Sequence, residues 1–365
     1  MEDVNRIALA LSLAPGVVPG DWNRIDATPR EIWEWLSSPA GSAELGARLG
    51  RGIGAVDWGL YEAQIALSMS CGARIVSRWD ERYPSLLRHI ASPPPVLFVR
   101  GEIELLERNA VAIVGTRAPS SSAMSFTARL ARDVAAAGGV VVSGMARGID
   151  TAAHRGALDA GDGSTIAVLG TGVDVAYPVE NETLLEHIAE AGCVVSEQWL
   201  GTEALPHAFP RRNRIISGLA HGVVVVEGGI KSGALITARW ALQQGREVGA
   251  VPGFPGDFRS AGPNQLVREG AFVVESADDV FAHITQLRSA PASSVRAPVE
   301  SDAPAGCHLD DDSRRVYGVI SRDADADDVA RAAGLDVERV QRALVRLEID
   351  GLVTRSAGGR FSRHG

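Results

Sequence analysis

Short apolar runs rich in valine and isoleucine recur along the middle of the chain, and most of them end in glycine. They predict strands at 111–115, 140–144, 166–170, 194–196, 223–228 and 247–253. Helical patterns separate the strands at 123–137, 151–160, 181–191 and 233–244. Strands that are buried on both faces have continuous apolar sequences, and alternation with helices indicates a parallel sheet. Residues 84–285 are therefore predicted to form a Rossmann-like α/β domain with a doubly wound, mostly parallel sheet.

The segments on either side of this domain have different patterns. Residues 1–80 carry apolar positions at helical spacing and predict a small helical domain. Residues 286–312 are rich in Ser, Ala, Pro and acidic residues without periodicity, which is typical of a flexible linker. Residues 313–365 predict three helices, at 314–321, 325–333 and 337–350, followed by a hairpin of 352–354 with 360–362. This order is typical of a winged-helix domain.

Composition excludes several classes of protein. The 365 residues are 45% hydrophobic and 22% charged, as in water-soluble globular proteins, and their number favours two or three domains. The three cysteines lie far apart without metal-binding spacing, so neither a disulfide framework nor a metal is expected. No signal peptide or membrane-spanning run is visible, so a cytoplasmic location is expected. A net charge of -9 leaves room only for a local basic groove.

Glycines and cations cluster in the loops that follow the predicted strands. Ligands of doubly wound sheets bind beyond the carboxyl ends of the strands, where backbone amides at helix starts attract anions. The candidate anion-binding residues of the first three loops are Gly115, Thr116, Arg117, Ser143, Gly144, Arg147, Gly148 and Gly170. Either of the first two loops alone is equally compatible with a tight turn. The hypothesis of a phosphate site therefore depends on finding all of them at one edge.

Two further segments add positive charge at the same edge. Apolar residues continue as far as Leu219 and predict a helix whose first turn holds a run of three arginines and one asparagine: Arg211, Arg212, Asn213 and Arg214. Cations oppose the macrodipole at a helix start, so an anionic ligand would explain them. The loop after the strand at 223–228 offers Lys231, Ser232 and Gly233 beside another helix start. It lacks the residue order of an ATPase P-loop.

The chain shows no convincing catalytic set. The third loop lacks the last glycine of a dinucleotide fingerprint, and no nucleophile elbow, zinc motif or paired metal-binding aspartates occur, so no cofactor is expected. Glu197 and Glu227 end strands and are predicted to anchor arginines or loop amides, and His154 is predicted to have a capping or core role. The nearby aromatic candidates for stacking are Tyr177, Trp199 and Phe209.

In this order the motifs resemble the DprA/Smf family of DNA-processing proteins. The resemblance covers nearly all of 83–275 and depends on segments such as 143–150, 166–170, Phe209-Pro210 with Arg212-Asn213-Arg214, 232–237 and 251–253. The helical segment, of the SAM or helix-hairpin-helix type, and the winged helix are similar to variants in the family. One departure is Val179-Glu180 after Tyr177-Pro178, where relatives often have a basic residue, and Arg147 or Arg211 would have to compensate.

The resemblance implies a function and partners. A family member would be a homodimer that binds single-stranded DNA without much sequence preference and loads RecA onto DNA entering in natural transformation, helping RecA to displace single-strand-binding protein. Carried over to matching positions, the pocket would contain Arg117, Ser143-Gly144, Gly170, Arg212, Arg214, Lys231 and Ser232-Gly233. No bond would be made or broken.

Two other functions stay open from the sequence. The glycine-rich loops also resemble nucleotide phosphoribohydrolases of the lysine-decarboxylase-like superfamily, with Glu227 as a candidate acid. The second open function is that of a regulator that binds duplex DNA through the winged helix. The third helix of this domain, however, carries mixed charges rather than a basic face. Release of a free base would distinguish the first, and preference for a particular duplex the second.

Overall fold

The computed structural model describes residues 4–18, 21–22, 24–161, 164–289, 311–320, 326–349, 353–355 and 361–363. Contacts divide the chain into two units, Met1–Ser293 and Ser294–Gly365. Most of the predicted linker, residues 290–310, lies outside the described residues, while Thr285–Ser289 form a short 3-10 helix. None of the described helices is both long enough and apolar enough to cross a membrane.

Within the described residues, nine strands of the first unit form one sheet in the order β1-β2-β6-β5-β4-β3-β7-β8-β9. Strands β3 to β9 are parallel, whereas β1 pairs antiparallel with β2 and β2 with β6. Their bounds are β1 Arg74–Ser77, β2 Val96–Gly101, β3 Ala110–Val114, β4 Val140–Ser143, β5 Thr165–Val168, β6 Cys193–Ser196, β7 Gly222–Val225, β8 Glu247–Ala250 and β9 Phe272–Val273. The doubly wound, mostly parallel sheet is confirmed.

Helices cover both faces of this sheet. They are α5 Ser85–Arg88, α6 Ser121–Ala136, α7 Ile149–Leu158, α8 Glu182–Ala191, α9 Ala208–Gly218, α10 Gly233–Gln243, α11 Ala261–Arg268 and α12 Ala277–His283. Successive side chains of a strand point to opposite faces. Val111 and Ile113 accordingly pack in the cluster with α6, α7 and α12, whereas Ala112 and Val114 pack in the cluster with α9 and α10.

The order of the strands creates a crevice between β3 and β7. From β3 the chain passes to β4, β5 and β6 on one side, and then crosses to β7 on the other side of β3. The loops after these two neighbouring strands therefore lead away from each other. Ligands bind at such a switch point in open α/β sheets. The loops after β3 and β7 are those that contain Arg117 and Lys231.

Four helices precede the sheet and pack against it: α1 Val4–Ser12, α2 Pro29–Leu36, α3 Pro39–Leu49 and α4 Trp58–Ser70. Two buried amides anchor them to the rest of the unit. Asn5 of α1 donates to Asp80 (2.5 Å) and accepts from the Ser77 amide (2.7 Å). Gln64 of α4 exchanges two hydrogen bonds with the backbone of Leu200, at 2.8 and 3.2 Å.

The prediction that residues 1–80 are helical is wrong at one place. Residues 74–77 form β1, which pairs antiparallel with β2 over four residues. Ile75 and Val76 are β-branched, and Val76 is fully buried, so tertiary pairing determines the local structure there. A four-residue strand is too short for its apolar pattern to be distinguished from that of a helix.

The second unit consists of α13 Asp311–Val319, α14 Ala326–Ala333, α15 Val337–Ile349 and the antiparallel pair β10 Val353–Arg355 with β11 Phe361–Arg363. Its core includes Val316, Leu344, Leu347 and Phe361. Gly334 has a φ of 65° between α14 and α15, a left-handed conformation that glycine adopts without strain. The three predicted helices and the hairpin are confirmed, within two or three residues at their ends.

The contact between α6 and α7 generates a stability prediction. A Cβ added at Gly156 would lie 2.1 Å from the carbonyl oxygen of Ala128. Replacing Gly156 with Ala should destabilise the protein by about 1–3 kcal/mol through overpacking, although alanine favours helices by about 1 kcal/mol over glycine. Urea denaturation of the full chain measures the difference in unfolding free energy.

Gly59→Ala is the matched control. A Cβ there meets only a carboxylate oxygen of Asp57, at 3.4 Å, which is an ordinary contact. This variant should be as stable as the wild type or slightly more stable. Equal unfolding free energies for the two variants would contradict the close packing of α6 on α7.

Candidate functional site

A cleft of about 660 Å³ opens at the carboxyl edge of the sheet, beside the switch point. Its walls come from the loops after β3 and β4, the start of α7, the turn before α9, and α9 and α10 themselves. Seven of the predicted site residues line it: Gly115, Thr116, Arg117, Arg212, Asn213, Ser232 and Gly233. The structure therefore brings together residues that lie as far as 118 positions apart in the sequence, from 115 to 233.

Arg117 is the exposed cation of the cleft. Its guanidinium carbon lies 5.7 Å from the ring centroid of Phe209, and the rings of Phe209 and Tyr177 are 5.1 Å apart. The backbone amide of Thr116 donates to the carbonyl oxygen of Glu227 at 2.7 Å, which joins the loop after β3 to the loop after β7. A guanidinium beside two aromatic rings can bind an anionic group and an adjacent flat ring at the same time.

The start of α10 forms another part of the wall. Ser232 is its N-cap residue, and its buried hydroxyl has no hydrogen-bond partner among the described residues. The side-chain amide of Asn213 donates to the carbonyl oxygen of Gly233 at 3.2 Å, so α9 holds the start of α10 in place. Backbone amides in the first turn of a helix have no partner within the helix and carry its positive dipole end. An anion in the cleft would be stabilised there.

Arg212 is almost completely buried beneath the cleft. Its guanidinium donates to the carbonyl oxygen of Gly144 at 2.7 Å and also to that of Val168. A Cβ at Gly144 would lie 2.6 Å from a terminal nitrogen of this guanidinium, so glycine is required for the approach. Burial lowers the pKa of Arg212 to about 10, while the charge of Asp150 opposes that shift. The side chain stays protonated at neutral pH and connects α9 to the ends of β4 and β5.

Asp150 is the acidic counterpart of Arg212. It is buried at the start of α7 and accepts hydrogen bonds from the amides of Gly144 (3.2 Å) and Ala146 (3.4 Å). Burial raises its pKa to about 6, against the opposite effect of Arg212 and of these amides. A carboxyl that lines the cleft thus changes its charge near neutral pH.

His154 occupies the core behind this carboxyl, as predicted. Its Nδ1 lies 2.8 Å from the Thr165 hydroxyl, and its Nε2 has no partner among the described residues. Burial lowers the pKa of His154 to about 3, so the ring is neutral at physiological pH. It contributes packing rather than charge to the site.

Arg214 does not reach the cleft. Its guanidinium donates to Glu197 at 2.6 and 2.8 Å and to the carbonyl oxygen of Ser92 at 2.9 Å. The helix α9 begins at Ala208, so Arg212 and Arg214 lie in its second turn, and the prediction of a first turn is wrong for them. Positions two apart in a helix point about 200° from each other, which sends the two side chains to opposite sides.

Arg147 lies at the lip but is paired. It donates to Glu180 at 2.7 and 2.9 Å. Glu180 is the acidic residue that departs from the family pattern, and Arg147, which was expected to compensate for it, pairs with it directly. Arg211 and Lys231 are exposed near the cleft without lining it, and neither has an ion pair within the described residues. Arg147 and Arg211 were the two residues expected to compensate for Glu180. Within the described residues, only Arg211 of these two has an unpaired charge.

The remaining predicted residues lie behind the cleft. Ser143 is buried and donates its hydroxyl to the carbonyl oxygen of Ile113 at 2.7 Å. Gly148 has a φ of 80° and packs against the loop after β3, and a Cβ at Gly170 would lie 3.0 Å from the ring of Phe209. These residues allow the loops to pack closely together, and they do not line the cleft in which a ligand would bind.

The acidic residues at the strand ends act as anchors, as predicted. Glu197 binds Arg214, and Glu227 accepts hydrogen bonds from the amide (2.9 Å) and hydroxyl (2.7 Å) of Ser120, the N-cap residue of α6. Trp199, an expected stacking residue, instead packs against Phe98 at 5.9 Å. Among the described residues, no group of three His, Cys, Asp or Glu side chains is placed to hold a metal ion.

Several residues of the wall could not be predicted from the sequence. Ala204, Pro206 and Pro210 line the cleft around the start of α9, and Ile216 and Ile236 line it deeper along the two helices. Small and apolar residues of this kind carry no chemical signature in the sequence. Only the fold shows that they enclose the cations.

Two family models match this chain. The family model for DNA recombination-mediator protein A matches residues 74–285, and that for the DprA winged helix domain matches residues 300–359. The chain is 37% identical over 285 residues to protein Smf of Escherichia coli, covering 77% of this chain and 75% of that protein. It is 44% identical over 203 residues to DNA processing protein DprA of Streptococcus pneumoniae, covering 56% and 71%.

Two solved structures have the same fold. The structure of DNA processing protein A from Streptococcus pneumoniae is 34% identical with a TM-score of 0.64, over 77% of this chain and 98% of that one. The protein from Helicobacter pylori, described for its unique single-stranded DNA binding mode, is 28% identical with a TM-score of 0.53, over 59% and 96%. Together with the family models, these likenesses show that the chain belongs to the DNA processing protein A (DprA/Smf) family.

Proposed function

We propose that this chain binds single-stranded DNA in the cleft. Arg117 and the amides at the start of α10 would hold phosphates, and a base would stack against Phe209 or Tyr177. The observation that carries the proposal is the exposed guanidinium of Arg117 beside two aromatic rings in one open cleft. Sites for single strands combine a cationic groove with stacking faces. The single-stranded DNA binding of the Helicobacter pylori relative supports the same ligand here.

The groups in the cleft favour binding with little sequence preference. Backbone amides and a guanidinium contact phosphates, which every nucleotide carries, and aromatic rings stack on any base. A duplex holds its bases in the stack, where these rings cannot reach them. The chain should therefore prefer single strands to duplexes of the same sequence.

The proposed biological role follows from the family. We propose that the chain acts as a homodimer in the cytosol and loads RecA onto single-stranded DNA during transformation or recombination, displacing single-strand-binding protein. The family description, DNA recombination-mediator protein A, supports this role.

We further propose that no covalent step takes place. Glu227, the candidate acid for a nucleotide phosphoribohydrolase, is engaged by the amide and hydroxyl of Ser120 at the start of α6. Its carboxylate thus holds the N-cap residue of α6 in place. Release of free base from a nucleoside monophosphate by the purified chain would contradict this proposal.

One prediction for DNA binding concerns Arg117. Replacing it with alanine should weaken binding of an oligothymidine by about tenfold, because a charged hydrogen bond contributes about 1.5 kcal/mol. The slope of log Kd against log salt concentration should fall by about 0.7, the value for one phosphate contact of a single strand. Fluorescence anisotropy at several salt concentrations measures both quantities.

Arg132→Ala is the control for general charge. Arg132 is an exposed arginine of α6 paired with Asp133, and it does not line the cleft. This variant should bind like the wild type. If both variants lost affinity equally, the effect would come from net charge, and the assignment of the cleft would be wrong.

A second prediction concerns pH. Asp150 is uncharged below its pKa of about 6 and negatively charged above it, and a negative charge in the wall repels phosphate. Affinity for single-stranded DNA should therefore fall as the pH rises through about 6, by about fivefold for an interaction of about 1 kcal/mol. The Asp150→Asn variant should lose this step in a titration of Kd against pH. An unchanged step in that variant would assign the titration to another group.

A third prediction concerns RecA. Wild-type chain should accelerate assembly of RecA on DNA coated with single-strand-binding protein, measured by the ATP hydrolysis of RecA. Arg117→Ala should lose most of this stimulation, whereas Arg132→Ala should keep it, because loading requires the strand to be held in the cleft. Full stimulation by Arg117→Ala would separate RecA loading from the cleft.

A further inference from the structure

A second groove, of about 510 Å³, lies on the loop between β8 and α11. Ile230, from the loop after β7, forms one side, and Asn264 and Arg268 of α11 form another. Gly253 and the segment from Pro255 to Phe258 form its rim, and Phe254 lies between them in the chain. None of the residues that line the cleft of Arg117 lines this groove, so it is a separate surface feature.

Two phenylalanines stand out from this loop. Phe254 is 81% exposed and Phe258 74% exposed, the highest values for any aromatic side chain that the structure describes. Ile230 beside them is 54% exposed. Large apolar side chains gathered at one exposed place indicate a binding surface rather than a packing need. Both rings are exposed enough to stack with a flat partner.

The charges around these rings are mostly positive. Lys231 and Arg268 are exposed and have no ion pair within the described residues. The guanidinium of Arg259 lies 5.7 Å from the ring of Phe258 and is paired with Asp257 at 2.8 Å, which neutralises the acidic residue of the loop. Exposed rings edged by unpaired cations match a partner that carries both bases and phosphates.

The groove is also joined to the first cleft through one loop. The Gly228 amide donates to the carbonyl oxygen of Arg259 at 2.6 Å, and the Gly262 amide donates to that of Gly228 at 2.9 Å. A Cβ at Gly228 would lie 2.6 Å from the hydroxyl of Ser232, which lines the first cleft. Lys231 lies between the two, next to Ser232 in the chain. A strand leaving the start of α10 can therefore pass Lys231 and reach the two rings.

We propose that the groove of Phe254 and Phe258 is a second base-binding subsite for the same single strand, with Lys231 and Arg268 contacting the intervening phosphates. The inference rests on the proposed function of the cleft and extends it by naming where the strand continues. Lys231 would thus contact the strand between the cleft of Arg117 and the second subsite, rather than within the cleft.

Oligothymidines of two lengths test the proposal, about 4 and about 16 nucleotides, which bracket common site sizes of single-strand-binding folds. The double variant Phe254→Ala/Phe258→Ala should weaken binding of the longer strand by about fivefold or more, the effect of losing one stacked base. It should leave binding of the short strand unchanged. Phe254→Tyr/Phe258→Tyr should bind both lengths like the wild type, because the ring faces are kept.

Leu242→Ala, at an exposed apolar residue near the end of α10, is the control and should change neither affinity. Light-scattering masses of all variants should equal that of the wild type. An unchanged affinity of the double alanine variant for the longer strand, while Arg117→Ala weakens both lengths, would overturn the second subsite and leave the first intact. A changed mass of the double alanine variant would also overturn it, in favour of a contact between copies. Failure of the wild type to bind either length would instead remove the proposed function itself.

Discussion

The buried guanidinium of Arg212 is the interaction on which the site depends. It bonds the carbonyl oxygens at the ends of β4 and β5 from a position on α9, and it faces the carboxyl of Asp150 at the start of α7. A buried charge is costly unless it is hydrogen-bonded and lies near an opposite charge, so the two carbonyls and the Asp150 carboxyl must stay in place. The loops after two strands and the helix that carries Phe209 are therefore held in one arrangement.

The exposed groups of the cleft work because of this buried frame. Arg117 projects from a loop tied to Glu227, and the start of α10 is held by Asn213. Phe209 packs on Gly170, where a larger residue would displace its ring. Binding groups on loops are effective when the scaffold fixes them, because less conformational entropy is lost when the ligand binds. The frame thus holds the glycine-rich loops at the carboxyl edge of the sheet as one preformed surface.

Much of the fold and of the site could be predicted from the sequence. Most strands that lead into loops of the site can be located because a continuous apolar run that ends in glycine has few other structural solutions. All of these predicted runs except 194–196 extend one to three residues beyond the strand, as at 226–228. β1 could not be recognised, because its four residues are determined by pairing with β2. The loops could be assigned to one edge because all parallel strands end there.

The roles of individual cations could not be predicted in the same way. Arg212 and Arg214 are the same residue type in the same motif, and the sequence does not distinguish their roles. Their positions on α9 place the Arg212 side chain beneath the cleft and the Arg214 side chain against Glu197. The pairing of Arg147 with Glu180 joins residues 33 positions apart. Whether a charge is free or paired depends on side-chain direction in the folded chain, which neither composition nor spacing determines.

A crystal structure of the full chain with a short oligothymidine would test the central claim most directly. The expected result is a phosphate within hydrogen-bond distance of Arg117 and of the amides at the start of α10, with a base against the ring of Phe209 or Tyr177. A strand bound to the winged-helix unit, with the cleft of Arg117 unoccupied by DNA, would contradict the account.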